Sequence, residues 1–239
     1  MEASLEVFPD ASALAHRVAR WMTDLALTKD GPFAVALSGG STPRSLYETL
    51  AGPEFLRVFP WQNVHWFWGD ERFVPHGDPM SNYRMASDAM LSRAPVPLAQ
   101  IHPIPTVGVT PEEAAQHYAT ELQEFYGAKR FDPARPLFDL MLLGLGEDGH
   151  TASLFPSSPA LDERERWTAV SELGEQPRIT LTYPALESSA HVAFVVSGAA
   201  KQSILQRVRA GDDALPAARV HPVGDLHFFT DSAAAGCAA

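Results

Sequence analysis

A carboxylate and an imidazole two residues apart, Asp148 and His150, stand in the turn Gly144-Leu145-Gly146-Glu147-Asp148-Gly149-His150, directly after the apolar run Phe138-Asp139-Leu140-Met141-Leu142-Leu143. A carboxylate beside an imidazole can hold its orientation and support its protonated form, which is what a general base needs. Taken singly, a histidine in a turn is as readily a solvated surface residue, and Asp-Gly is ordinary turn chemistry. Three further segments add to the chemical reading. Ser38-Gly39-Gly40-Ser41-Thr42-Pro43 lies between a strand-like run and a helical pattern, so backbone N–H groups, hydroxyls and a positive helix end can converge on an anion; the bland alternative is a plain capped turn. It matches neither the dinucleotide fingerprint nor the lysine-ending phosphate loop. Gly69-Asp70-Glu71-Arg72 sets three charges after the aromatic run Trp66-Phe67-Trp68; either they pair among themselves or Arg72 is held for an anionic ligand, because an unpaired charge there is costly. Ser197-Gly198-Ala199-Ala200-Lys201 puts a lone lysine in the first turn of a helix, where the dipole disfavours it unless an anion binds. A solvated surface lysine is the other reading.

The elements that must position these residues are legible as alternating strands and helices. Asp10 is a plausible N-cap for a helix with Leu14, Val18, Trp21 or Met22, and Leu25 on one face. The strand Phe33–Leu37 leads into the glycine loop, where Thr42 can cap and Pro43 can occupy the first position of the next helix. Val64–Trp68 is a strand, Ser81 the cap of a helix through Tyr83 and Met85, and Thr110-Pro111-Glu112-Glu113 a capping box opening a helix with Tyr118, Leu122 and Phe125 on one side. Strands follow at 138–143, 167–170, 178–182 and 191–196, then a helix near 199–209 and a short strand at 226–229. This alternation implies crossover connections and a mainly parallel open sheet with helices on both faces, an α/β class in which ligands bind beyond the carboxyl ends of the strands.

Composition narrows the options. The 239 residues are 46% hydrophobic and carry a formal charge of −11 with no basic block, which argues against a nucleic-acid or anionic-membrane surface. One α/β domain is expected over residues 1–232, followed by a disordered small-residue tail at 233–239 that contains the single cysteine, Cys237. One cysteine excludes an intramolecular disulfide framework and a cysteine-rich zinc site. Residues 1–10 lack a basic and apolar leader pattern, and no apolar stretch is long enough to span a bilayer, so a soluble, cytoplasmic protein is expected.

The segments Ser38–Pro43, Gly69–Arg72 with Ser81-Asn82-Tyr83, Gly144–Pro156, Arg178–Thr182 and Ser197–Lys201 occur in the order found in the 6-phosphogluconolactonase family, which the chain resembles from about residue 10 to 230. The Gly-Glu-Asp-Gly-His block is the most specific of these. The resemblance implies a Rossmann-like fold of the sugar-phosphate deaminase and isomerase type. It also implies hydrolysis of 6-phospho-D-glucono-1,5-lactone to 6-phosphogluconate, in the oxidative pentose phosphate pathway, without a metal or organic cofactor. On that resemblance His150 is the base that activates water and Asp148 supports its imidazolium. Arg72 and Lys201 match phosphate-binding cations, and Gly39, Gly40, Ser41 and Thr42 the loop beside the substrate. Arg178 and Asn82 match motif positions, where shaping the pocket or satisfying the core is an equal role. A monomer or weak homodimer is the expected state.

Independent chemistry agrees with a water-activating histidine, since no serine stands in Gly-x-Ser-x-Gly and no His-Glu-x-x-His is present. Asp148 and His150 can in principle ligate a metal, but the remaining histidines are scattered without ligand spacing. The related rival is an amino-sugar-phosphate deaminase, with Asp70 as its carbon-2 base. That family carries Asn-Glu-Pro where this chain has Leu154-Phe155-Pro156, which favours the lactonase. A non-catalytic sugar-phosphate sensor, as in some bacterial repressors, would need a DNA-reading module for which the chain has no room.

Overall fold

Buried, nearly all-apolar strands dictate the architecture of residues 3–174 and 176–237, which this computed structural model describes. In chain order the elements are β1 (Ser4–Phe8), α1 (Ala11–Thr28), β2 (Phe33–Leu37), α2 (Ser41–Leu50), β3 (Val64–Trp68), β4 (Asp70–Arg72), α3 (Asn82–Ala89), α4 (Pro111–Tyr126), β5 (Phe138–Leu143), β6 (Thr168–Leu173), β7 (Gln176–Leu181), α5 (Tyr183–Glu187), β8 (Ser189–Val196), α6 (Gln202–Arg209), β9 (Asp225–Asp231) and α7 (Ser232–Ala235). Every residue of β2 is buried, as expected of a strand covered on both faces by helices. The helices carry the expected start signals. Asp10 accepts from the Ala13 amide at 2.8 Å, Ser81 caps α3, and Thr110 and Glu113 close a capping box at α4. In α1 the residues Leu14, Val18 and Met22 repeat at intervals of four and are fully buried, which is the stripe that docks the helix on the sheet.

The main sheet has the order β1-β9-β8-β5-β2-β3, and every pairing in it is parallel. From β2 the chain steps outward to β3, then returns to the other side of β2 for β5 and proceeds to β8 and β9. The order therefore reverses between β2 and β5, and the connections leaving their carboxyl ends diverge to open a crevice. Both the glycine loop after β2 and the Asp148–His150 turn after β5 border that crevice.

The expected α/β sheet is thus present, with an addition. The segments expected as strands near 167–170 and 178–182 leave the parallel sheet and, with β4, form a separate antiparallel sheet in the order β4-β7-β6. A hairpin turn at Gly174 pairs β6 with β7 locally. Gly69 joins the two sheets: its N–H donates to Leu37 O at 2.9 Å and its carbonyl accepts from the Leu181 N–H at 2.8 Å.

The ends of the chain add one strand and correct one expectation. At the start of the described chain Ser4–Phe8 pair in parallel with β9. The tail expected to be disordered from residue 233 begins instead as α7, capped by Asp231 and with Ala234 fully buried; residues 238 and 239 lie outside the described residues.

Candidate active site

The glycine loop is clamped from beneath. The buried Tyr47 hydroxyl of α2 accepts from the Ser38 N–H at 3.0 Å and donates to the Ser38 carbonyl at 2.8 Å. Thr42 does not cap α2 and Pro43 is not its first residue: the helix starts at Ser41, and Gly40, at φ 108°, stands at the cap with no side-chain bond. A positive φ lets the chain turn into the helix early, and the missing cap leaves the first helical amides to an incoming anion. Gly39 is there for space, because a Cβ at this position would fall 2.0 Å from Asn82 Oδ1.

The turn after β5 is built around the imidazole. The Gly146 N–H donates to the His150 carbonyl at 2.9 Å and the Gly149 N–H to the Gly146 carbonyl at 3.1 Å. A Cβ on Gly146 would lie 2.1 Å from His150 Nδ1, so only glycine lets the ring lie against the backbone. Asp148 Oδ1 accepts from the His150 amide at 3.1 Å and lies 2.5 Å from His150 Nδ1. A carboxylate at that distance holds the proton on Nδ1 and leaves Nε2 with its lone pair. Burial alone would raise the Asp148 carboxyl. Hydrogen bonds from the His150 amide and ring, with the charge of His150, outweigh it and hold the carboxyl below its ordinary value. Phe155 packs against the ring at 4.7 Å between centroids, restricting it from the other side.

The cations come from the small sheet. Arg72 and Arg178 are directly opposed in the β4–β7 register, an arrangement in which like charges repel. Glu71 does not relieve it. Its carboxylate accepts from the amides of Arg72, Asn82 and Tyr83 and from the Ser81 hydroxyl, all within 2.9 Å, and is consumed in capping α3. Burial pushes the Glu71 carboxyl up against those bonds. Among the described residues neither arginine has a carboxylate within ion-pair distance, and the Nε of each is buried without a partner. Arg72 donates from Nη1 to the Met80 carbonyl at 2.5 Å, which fixes the guanidinium without neutralising it. Burial lowers the Arg178 pKa, with Arg72 acting in the same direction against Asp70 and Glu71. Of the two readings of Gly69–Arg72, mutual pairing does not hold for Arg72, which has no carboxylate within ion-pair distance among the described residues.

Lys201 closes the far side from a short 3₁₀ turn, Ala199–Lys201, that precedes α6. Asp231 holds that turn: its carboxylate accepts from the Ser197 hydroxyl at 2.5 Å and from the Gly198 amide at 3.1 Å. Burial would raise Asp231, but the bonds from Ser197, Ala234 and Gly198 keep it low.

Asp70 and Asn82 tie the walls together. Asp70 Oδ2 accepts from the Ser153 hydroxyl at 2.6 Å, and Asn82 Nδ2 donates to the Asp70 carbonyl at 2.9 Å and lies 3.4 Å from its Oδ1. Ala152, beside Ser153, has φ 48°, a strained value for a residue with a Cβ, and the strain falls on the pocket wall. The result is a cavity of about 250 Å³ over the β2/β5 switch point, lined by Gly39, Gly40, Ser41, Thr42, Asp70, Arg72, Asn82, His150, Arg178 and Lys201. All but one of the residues singled out from sequence reach this cavity. The exception, Asp148, touches the cavity wall through its bond to His150. The contacts that Tyr47, Glu71, Ser153 and Asp231 make were not legible in the sequence. Each is a polar group whose partner is distant in sequence or whose burial has no local signal.

One imidazole oriented by a carboxylate, in one cavity with cations and free helix amides, defines a class: an α/β protein whose site can hold a small anionic molecule over a parallel sheet and can move a proton on it. Within that class, the family model for glucosamine-6-phosphate isomerases/6-phosphogluconolactonase matches residues 9–228, and the chain belongs to that family. It is 41% identical over 241 residues to a 6-phosphogluconolactonase of Nostoc sp., with 98% of each chain covered. A 6-phosphogluconolactonase of Synechocystis sp. is 44% identical over 214 residues, covering 87% of this chain and 86% of the other. The solved structure of 6-phosphogluconolactonase from Trypanosoma brucei superposes with a TM-score of 0.84 at 27% identity, over 98% of both chains. Among the described residues no helix is long and apolar enough to cross a membrane.

Proposed function

We propose that the chain hydrolyses 6-phospho-D-glucono-1,5-lactone to 6-phosphogluconate in the oxidative pentose phosphate pathway, with His150 as the base. Water attacks the lactone carbonyl carbon while His150 Nε2 takes its proton, and Asp148 supports the imidazolium so formed. Collapse of the tetrahedral intermediate breaks the bond to the ring oxygen, and the same imidazolium returns the proton to it. One water is added, and the base ends as it began. The phosphate sits against Arg72, Arg178 and Lys201, whose mutual repulsion it relieves. The observation that carries this reading is the facing of His150 by the opposed, unpaired Arg72 and Arg178 across one small cavity.

Asp70 bears on the deaminase alternative. One of its oxygens accepts a short hydrogen bond from Ser153 and the other faces Asn82, so its carboxylate is engaged in holding the walls rather than poised to take a proton. Phe155, packed on the His150 ring, supplies no charge where the deaminases carry a glutamate. The enzyme works in the cytoplasm as a monomer or weak homodimer, needs no metal or organic cofactor, and has no nucleic-acid or membrane partner. Its net charge of −11 without a basic block supports the last point. The test is acid release from freshly made lactone, read against a no-enzyme blank and repeated after dialysis against a chelator. Rapid, chelator-resistant release is expected. Ammonia release from glucosamine 6-phosphate with no gain over the lactone blank would transfer the assignment to the deaminase.

A further inference from the structure

His191 lies 36 residues before His227, yet it meets His227 and the nearby Asp225 on one face of the parallel sheet. His191 is directly opposite Asp225 in the β8–β9 register, and His227 is two residues beyond Asp225 on the same strand, so all three side chains project from the same side. His191 Nδ1 lies 3.3 Å from His227 Nε2 and 3.7 Å from Asp225 Oδ2, and the three potential ligand atoms all lie within 4.8 Å of one another. A tetrahedral zinc site with bonds of about 2.0–2.1 Å separates neighbouring ligand atoms by about 3.3 Å, close to the first two distances. Asp225 is about half exposed at the start of its strand, with the freedom to close the third edge.

The surroundings suit a cation. Glu6 is paired with Arg17 and Asp139 with Lys29, whereas among the described residues Asp225 has no lysine or arginine partner, only His191. Ser4, opposite His227 in the β1–β9 register, places Oγ 2.9 Å from His227 Nδ1. An acceptor there fixes the tautomer that turns the Nε2 lone pair toward the cluster, the outer contact that metal-bound histidines use. Trp21 of α1 packs its edge on both imidazoles and limits their rotation.

We propose that His191, Asp225 and His227 form a binding site for a divalent transition-metal ion of the zinc class, completed by solvent, that straps β8 to β9. Two imidazoles and one carboxylate are a donor set for such ions rather than for magnesium or calcium. The site is separate from the catalytic cavity: His191 precedes Val195, the first residue of β8 to line that cavity, by four residues, about 13 Å of strand. Its role is therefore to stabilise the sheet and not to take part in turnover.

The probe is Co²⁺, added to tag-free protein previously stripped with chelator, and read by equilibrium dialysis and visible absorption. One saturable equivalent is expected, with ligand-field bands of a four- or five-coordinate ion, and a melting temperature that rises with Zn²⁺. His191→Ala and His227→Ala should each weaken binding by roughly a hundredfold, Asp225→Asn by about tenfold, and Ser4→Ala by about tenfold or less. The lactonase rate of each variant should stay at the wild-type level, which also reports that it is folded. His150→Ala should bind Co²⁺ normally. The absence of saturable Co²⁺ and Zn²⁺ binding by the wild type would overturn the proposal. So would unchanged affinity in Asp225→Asn and in either histidine variant, or loss of binding in His150→Ala alone.

Discussion

The two walls of the cavity are made in different ways. The base wall is local: Asp148 and His150 are neighbours in one turn, and the glycine at 146 that admits the ring is four residues before it. The cation wall is assembled by register: Arg72 and Arg178, 106 positions apart, face one another only because β4 pairs with β7. On the proposed mechanism, turnover depends on a feature held within one turn, whereas phosphate binding depends on correct pairing of the small sheet. The two walls should separate in kinetics, the first acting on kcat and the second on affinity.

The largest expected effect that probes this separation is on the base wall. Asp148→Asn removes the acceptor that keeps the proton on His150 Nδ1, and should lower kcat by on the order of 10²-fold with little change in 6-phosphogluconate affinity. Steady-state kinetics on fresh lactone give the answer, and a loss confined to KM would place Asp148 on the binding side. Next come the cations. Arg72→Ala and Arg178→Ala should each cost about 1.5–3 kcal/mol of 6-phosphogluconate binding, roughly ten- to a hundred-and-fifty-fold in Kd, the range for hydrogen bonds to charged groups. Because each removes half of a repelling pair, ligand-free stability should hold or rise in Arg178→Ala. Calorimetric titration alongside urea unfolding measures both, and wild-type affinity in both variants would move the phosphate elsewhere.

The Asp148–His150 pairing was legible from sequence because the two residues share one turn and the strand that delivers them is a nearly all-apolar run. Arg72 and Lys201 were legible as charges that closely follow strand ends. Arg178 was left with two equal roles, since only the antiparallel register reveals that it opposes Arg72. The small sheet itself was hidden: β4 is three residues long and looks like a turn, and β6 and β7 read as further strands of the parallel sheet. Glu71 read as a possible partner for Arg72, but the α3 amides that occupy its carboxylate lie about ten residues downstream. Thr42 looked like a cap because a threonine before proline usually is one, and Gly40 took the role through a φ open to glycine.

Smaller effects test how the walls are joined. Gly39→Ala drives a methyl into Asn82 and through it into Asp70, and should destabilise the protein by about 1–2 kcal/mol, the lower part of the overpacking range, while raising KM modestly. A fully neutral Gly39→Ala in urea unfolding would show that Asn82 can move without consequence. The smallest effect is on pH. The Asp148 carboxyl is held below its ordinary value in the folded state, so the unfolded chain takes up the proton first as pH falls. Its contribution to stability is present above the ordinary aspartate pKa of about 3.9 and is lost as pH drops through the lower folded value. Exposure of about half the side chain keeps that contribution small. Unfolding curves of wild type and Asp148→Asn should converge in acid, and curves that diverge there would contradict the sign.

The central claim is that His150 supplies the proton transfer while the arginines hold the phosphate. The most direct measurement is the turnover of His150→Ala on freshly prepared 6-phospho-D-glucono-1,5-lactone, corrected for spontaneous hydrolysis. The account expects kcat to fall by roughly 10²- to 10⁴-fold at nearly wild-type affinity for 6-phosphogluconate; a variant that turns over at the wild-type rate would contradict it.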